Sequence, residues 1–296
     1  MGTSNSFGGG SGSNPLVPSW LPSGGDAFPA TPGGSGQNPG MPPSDGGGPK
    51  TPPRNRSPLP PAGSQDRYTS ARTDFSRFTS SGGQGSQARH ALGRAMSKYV
   101  STASNGKRTA ARRMGSSLVA GSRLLGALEN IRATSTTEVL RTLRLEGLIG
   151  RPVEEVFLGL MEHVCPPGGT VDEGIARDAF IETVAEVAEL GIADLDKLTV
   201  DQIQAVLEAF ATHSIEARLY NDIGTKVVTL PADPVAAGRI QNDVRDFIRR
   251  GVSDALAQAR AQLQAIEFTR IPEFINGVYE AAFGIIQQMG DTEANS

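Results

Sequence analysis

Asp233–Leu263 reads DPVAAGRIQNDVRDFIRRGVSDALAQARAQL, and the spacing of its apolar residues decides the fold class. Ile240, Val244, Phe247, Val252, Leu256, Ala259 and Leu263 recur at intervals of three to five, with Arg, Asp and Gln opposite. A helix turns every 3.6 residues, so this spacing gathers the apolar set on one stripe. Asp233 is placed to accept from the first unpaired backbone N–H groups, and Pro234 follows at a position where a missing donor costs nothing. Roughly thirty uninterrupted residues after Asp233 therefore predict one long helix.

The same signals recur outward from this segment. Ser135 with Glu138, Thr170 with Glu173, and Thr199 with Gln202 have the spacing of capping boxes, in which side chain and backbone satisfy each other reciprocally. Pro152 and Pro272 fit the role of Pro234. Cys165-Pro166-Pro167-Gly168-Gly169 stops one helix before the next. Between these marks, Val200, Ile203, Leu207 and Phe210 share a helical face, as do Phe180, Val184, Val187 and Ala188. Met114, Leu118, Leu125 and Leu128 form another stripe, with Gly121 leaving room for a close neighbour. Lys226–Leu230 alone looks extended, and it is too short and solitary for a sheet. The expectation is an all-α domain of about eight helices over residues 86–290, with a disordered C-terminus at 291–296.

Composition sets the other boundary. Residues 1–66 hold 15 of the 36 Gly and 14 of the 20 Pro, with few apolar residues between them. Such a segment cannot bury enough surface to offset its ordering entropy, so a long disordered Gly/Pro/Ser-rich N-terminal tail is expected. A basic and aromatic linker is expected over 67–85. Residues 1–113 carry 13 Lys and Arg against 4 Asp and Glu, and residues 114–296 carry 15 against 27. The net charge of −3 thus conceals a basic arm on an acidic body.

Most catalytic chemistries find no foothold in this pattern. The single cysteine, Cys165, excludes an internal disulfide framework and a cysteine-based zinc cluster, and it suits a reducing cytoplasm. His90, His163 and His213 are far apart, and none has a partner at metal-ligand spacing, so no metal or other cofactor is expected. Gly46-Gly47-Gly48-Pro49-Lys50-Thr51 lacks both the spacing and the strand–helix context of a phosphate loop. The abundant carboxylates suit solvent faces and helix starts, and no catalytic pair separates from them. No run of 18 apolar residues exists, and the N-terminus does not read as a secretory signal. A non-enzymatic, cytoplasmic protein is the expectation.

Two features bear on binding. Arg67-Tyr68, Arg72, Phe75 and Arg77-Phe78 interleave basic and aromatic side chains, and Arg94, Lys98, Lys107, Arg108, Arg112 and Arg113 extend the basic run. Phosphate neutralisation and base stacking use this combination, although an arm packed on the acidic body has the same composition. The second feature is the start of the chain. Gly2 permits removal of Met1, which frees an α-amine that is partly unprotonated near neutral pH. The opening also matches the myristoylation pattern M-G-x-x-x-[ST]. Thr3 and Ser4 are small and polar, while Leu16, Val17, Trp20 and Leu21 make an apolar anchor in an otherwise polar tail.

Met1-Gly2-Thr3-Ser4 with the Gly/Ser stretch after it, Leu16-Val17-Pro18 and Trp20, a Pro/Gly-rich linker and a helical body together resemble the QatB family. Its members are the B components of the four-gene Qat anti-phage defence system of bacteria. The resemblance implies three companions: an ATPase (QatA), an enzyme similar to 7-cyano-7-deazaguanine synthase (QatC, QueC-like) and a TatD-like nuclease (QatD). Enzymes similar to QueC activate the carboxylate of 7-carboxy-7-deazaguanine as an adenylate, which an amine then attacks. The resemblance therefore suggests a protein that docks the QueC-like partner and offers the Gly2 amine for conjugation. The alternatives are a nucleic-acid-binding adaptor using the basic arm 67–113, and a metal-independent enzyme with a helical fold.

Overall fold

The computed structural model describes residues 65–296 apart from 166–168, 225–230 and 232, with the side chains of residues 65 and 66 also outside the description. The tail and Lys226–Leu230 lie outside the described residues. Ten α-helices are present among the described residues: α1 (Thr69–Ser80), α2 (Gly85–Lys98), α3 (Lys107–Arg112), α4 (Ser116–Ala133), α5 (Thr136–Thr142), α6 (Val153–Val164), α7 (Val171–Val187), α8 (Val200–Ile223), α9 (Pro234–Gln264) and α10 (Ile271–Asn295). Helix α10 lies against α2, α9, α3 and α4, and α8 joins α7 to α9. The described residues contain no strand. The all-α expectation holds.

Local chemistry explains where the helices begin. Thr170 and Glu173 form a full capping box at α7, and Thr199 and Gln202 form another at α8. Ser135 accepts from the Glu138 backbone N–H at α5, without the return bond, while the Glu138 side chain faces Arg141 instead. Asp233 accepts from the N–H groups of Val235 and Ala236 and starts the 31-residue α9. Pro272 sits in the first turn of α10, but Pro152 stands one position outside α6 as its cap. In α9, Ile240, Val244, Phe247, Val252, Leu256 and Leu263 are buried, so the quoted stripe faces the core. Ala188 departs from its expected face: it follows the last residue of α7 and is exposed.

Three expectations need correction. The stretch 67–85 is no linker, because α1 occupies most of it and buries Ala71, Phe75 and Phe78 at 0%, 0% and 1% exposure. Those three positions are spaced i, i+4, i+7, one face of a helix, and the interleaved arginines obscured that period. The described residues hold ten helices where about eight were expected, and α1 lies before the expected start at residue 86. At the other end, α10 continues through 291–295. Ser97 Oγ donates to Asp291 Oδ1 at 2.5 Å and holds this last turn on α2. Just before it, Gly290 and Gly93 let the two backbones meet. A Cβ on Gly290 would lie 2.6 Å from the Gly93 carbonyl oxygen, closer than any side chain tolerates.

Gly121 performs the predicted service on α4, where Ile275 and Phe210 approach within 3.3 Å of the place a Cβ would occupy. Aromatic side chains fill the centre of the body. Phe157 and Phe180 stack with centroids 6.5 Å apart and join α6 to α7, while Phe75 meets Phe78 and Tyr220 edge-on. Full burial of such a ring contributes about 1.5–3 kcal/mol.

Candidate functional site

The basic arm contributes most of the sequence-predicted binding residues among the described positions, and the fold draws much of it inward. Asp222 is the organising group. It sits one residue before the C-terminal end of α8, where the helix dipole disfavours a negative charge. Three donors and a further nearby cation offset that cost. Tyr68 Oη and Tyr99 Oη donate to Oδ2 at 3.0 and 2.9 Å, Arg113 Nη2 donates to both carboxylate oxygens at 3.0–3.1 Å, and Arg218 Nε stands 3.8 Å away. Arg218 also binds Asp172 and the Arg113 carbonyl oxygen.

The aromatic residues of the arm belong to the same assembly. Tyr68 and Tyr99 stack with centroids 5.9 Å apart. The guanidinium groups of Arg67, Arg72 and Arg113 lie 5.7, 5.7 and 5.3 Å from the Tyr68 ring centre, within cation–π range. Burial, with the Asp222 carboxylate next, pushes the Tyr68 phenol up to about 12, and the same two causes hold Tyr99 well above 10. Both phenols stay protonated and donate throughout the physiological range.

Each arm arginine has a distinct place. Arg67 Nε donates to the Ala103 carbonyl at 2.6 Å, and Arg72 donates to the carbonyls of Ile223 and Asp222, closing the end of α8. Arg113 belongs to the Asp222 assembly. Arg77 pairs with the buried Asp74 at 3.0 Å, a carboxylate that also receives Arg94 and Lys98. Burial would raise the Asp74 pKa, but the bonds from Lys98 and Arg94 prevail and lower it. Arg108 is exposed and pairs with Glu280 at 3.2 Å. Arg112 is exposed and makes no ion pair among the described residues. Of the seven arm arginines named, Arg112 alone has no ion pair or side-chain hydrogen bond among the described residues.

Sequence reading could not supply Asp222, Asp172 or Arg218 as partners. Arg113 and Asp222 are 109 positions apart, and Tyr68 and Asp222 are 154 apart. The available signal was an Asp at a predicted helix C-terminus, a placement that calls for outside cations.

A second polar assembly joins α7, α8 and α9. His213 Nε2 lies 3.0 Å from Glu186 and its Nδ1 lies 3.8 Å from Glu216. Arg249 pairs with Glu186 at 2.5 Å and Arg245 with Glu216 at 2.8 Å. Burial would lower the His213 pKa, but the two carboxylates outweigh it and raise it above 6.5. The bond from His213, against the opposing effect of burial, holds Glu186 at about 2. His163 lines a depression of about 490 Å³ between α4, α5 and α6, with Arg123 and Asn130 above Val139 and Leu160. Cys165 is fully buried, and burial raises its thiol to about 11, so it is not poised as a nucleophile.

Gly2, Thr3, Ser4, Leu16, Val17, Trp20 and Leu21 lie outside the described residues. Among the described residues, no helix is long and apolar enough to cross a membrane, and no three His, Cys, Asp or Glu side chains are placed to hold a metal.

Neither the curated proteins nor the solved structures contain a match. The family described as Qat anti-phage system associated protein QatB matches residues 105–286, which is more than half of the chain and takes in Arg113, Asp172, Arg218 and Asp222. The chain belongs to the QatB family of anti-phage defence components.

Proposed function

We propose that this QatB-family chain is a non-enzymatic partner and substrate within its Qat system. The helical body docks the QueC-like component (QatC), and the tail carries Gly2 to that enzyme's site. There the Gly2 amine attacks the adenylated carboxylate of a deazaguanine. An amide bond forms, AMP leaves, and the amine gives up its proton. Thr3 and Ser4 thread the channel, and Leu16, Val17, Trp20 and Leu21 hold the tail outside it. The 18 residue-to-residue steps from Gly2 to Trp20 can span about 60 Å when extended, so the anchor and the reacting amine need not adjoin. The ATPase QatA and the nuclease QatD are the further partners, and the assembly works in the cytoplasm.

The observation that carries this reading is the inward commitment of the basic arm. Arg67, Arg72 and Arg113 serve the body's own carbonyls, carboxylate and Tyr68 ring. That arrangement weakens the adaptor reading, which needs these cations free for phosphates. The tail is then the sequence feature left to act outside the fold.

Mass spectrometry of the N-terminal peptide tests the reading after co-expression of the full chain with the QueC-like component. The expected result is a Gly2 peptide without Met1 that carries the added heterocycle, lost in Gly2→Glu and when a permanent tag blocks the N-terminus. An unmodified Gly2 peptide from cells that resist phage would overturn it.

A further inference from the structure

Helices α9 and α10 leave their seam open along its outer side. Three depressions of about 480, 390 and 730 Å³ follow one another along α9: Phe78, Arg89 and Leu92 of α1 and α2 face α9 in the first, and α10 faces it in the other two. The first two share Arg250 and Glu293, and the last two share Gln258, so they form one furrow. From Asp246 to Gln262 it follows α9 for about 24 Å at 1.5 Å per residue.

The floor and the rims differ in chemistry. Ala259, Phe274, Val278, Ala281, Ile285 and Met289 make the floor, and those on α10 recur every three to four residues. Gly277 lies at the widest part, and a Cβ added there would meet nothing within 4 Å. The rims carry six carboxylates: Asp243, Asp246, Asp254, Glu267, Glu273 and Glu293. Among the described residues none of the six joins an ion pair, although Arg89, Arg250 and Arg270 line the same furrow, whereas Asp74, Asp222, Glu186 and Glu216 are each held by cations. Burial and the nearby Asp246 charge raise the Asp243 pKa, and the Arg239 charge offsets them only in part.

A half-buried apolar strip with regularly spaced ridges accepts a third helix, because such ridges and grooves interlock. Six unpaired acids against three bases select a helix of opposite sign. We propose that the α9–α10 furrow is the docking surface of the body, and that its occupant is an amphipathic helix of a partner protein with Lys and Arg flanking an apolar stripe. This rests on the reading that the body docks another component of its Qat system.

A photo-crosslinking residue in place of Gln258, in the full chain co-expressed with the other Qat components, tests the assignment. The expected crosslink falls in a partner segment whose apolar residues recur every three to four positions between basic ones. Gly277→Leu, which fills the furrow without touching the core, is expected to weaken association at least tenfold with an unchanged melting temperature. The double change Asp246→Lys with Asp254→Lys is expected to do the same, and wild-type association should weaken as salt rises. A crosslink to a second copy of this chain, a crosslink to an acidic segment, or association within twofold of wild type for Gly277→Leu would overturn the proposal. A basic helix belonging to a component other than the QueC-like enzyme would keep this inference and remove that enzyme as the docked partner. Association with the QueC-like enzyme that ignores both variants would do the reverse.

Discussion

The Asp222 assembly and the α9–α10 furrow handle charge in opposite ways. At Asp222 one carboxylate gathers two tyrosine hydroxyls and a guanidinium group from segments more than a hundred residues away, together with Arg218 of its own helix. Along the furrow six carboxylates stand without an ion pair among the described residues. The first arrangement offsets a desolvation cost and ties the ends of the body together. The second leaves charge at the surface with no task in the fold. Net charge by region, +9 against −12, fits both an arm that binds outward and an arm packed on the body, and the ion pairs show how much of it the body itself holds.

The contrast fixes an order of mutational effects. Phe75→Ala removes a fully buried ring from α1 and is expected to cost about 3–5 kcal/mol in denaturant unfolding. A loss below about 0.5 kcal/mol would restore 67–85 as a linker and detach Tyr68 from the core. Asp222→Asn keeps the shape but leaves Arg113 and Arg218 buried beside a neutral amide, at an expected cost of about 2–3 kcal/mol. Asp254→Asn, on the furrow rim, should stay within about 0.5 kcal/mol. Equal losses at the two aspartates would erase the distinction between them.

The His213 assembly sharpens the comparison through pH. Its folded pKa lies above 6.5, so the stabilisation it gives is complete below that value and declines as pH rises through the folded pKa. Glu186 behaves oppositely: its contribution is complete above its ordinary pKa and is lost as pH falls toward about 2. Thermal melts of the wild type should decline with pH above 6.5, and His213→Gln should flatten that slope. The Asp222 assembly pushes the Tyr68 phenol up to about 12 and holds the Tyr99 phenol well above its usual value, and an Asp222→Asn chain should keep the wild-type pH profile near neutrality. An unchanged slope in His213→Gln would remove His213 as its source.

Much of the fold was legible because its signals are local. The Asp233 cap, the capping boxes at Thr170 and Thr199 and the α9 stripe each depend on residues a few positions apart, and each appears as read. Helix α1 was missed because Arg67, Arg72 and Arg77 dominated a segment whose buried residues are only Ala71, Phe75 and Phe78 and their neighbours. The arm's role was legible only as two alternatives, phosphate contact or packing on the acidic body. Whether an arginine faces solvent or a carboxylate depends on Asp222, more than a hundred residues away, and no spacing rule reaches that far. Pairing in three dimensions decides it.

We infer that the arm's positive charge serves the fold. Binding of the full chain to duplex DNA at low salt is the test, measured for wild type and for the chain with Arg108, Arg112 and Arg113 changed to Glu. Neither protein is expected to retain DNA, and the variant is expected to melt at a lower temperature, because Arg113 leaves Asp222. Salt-dependent retention by the wild type, lost in a variant that melts where the wild type does, would contradict it.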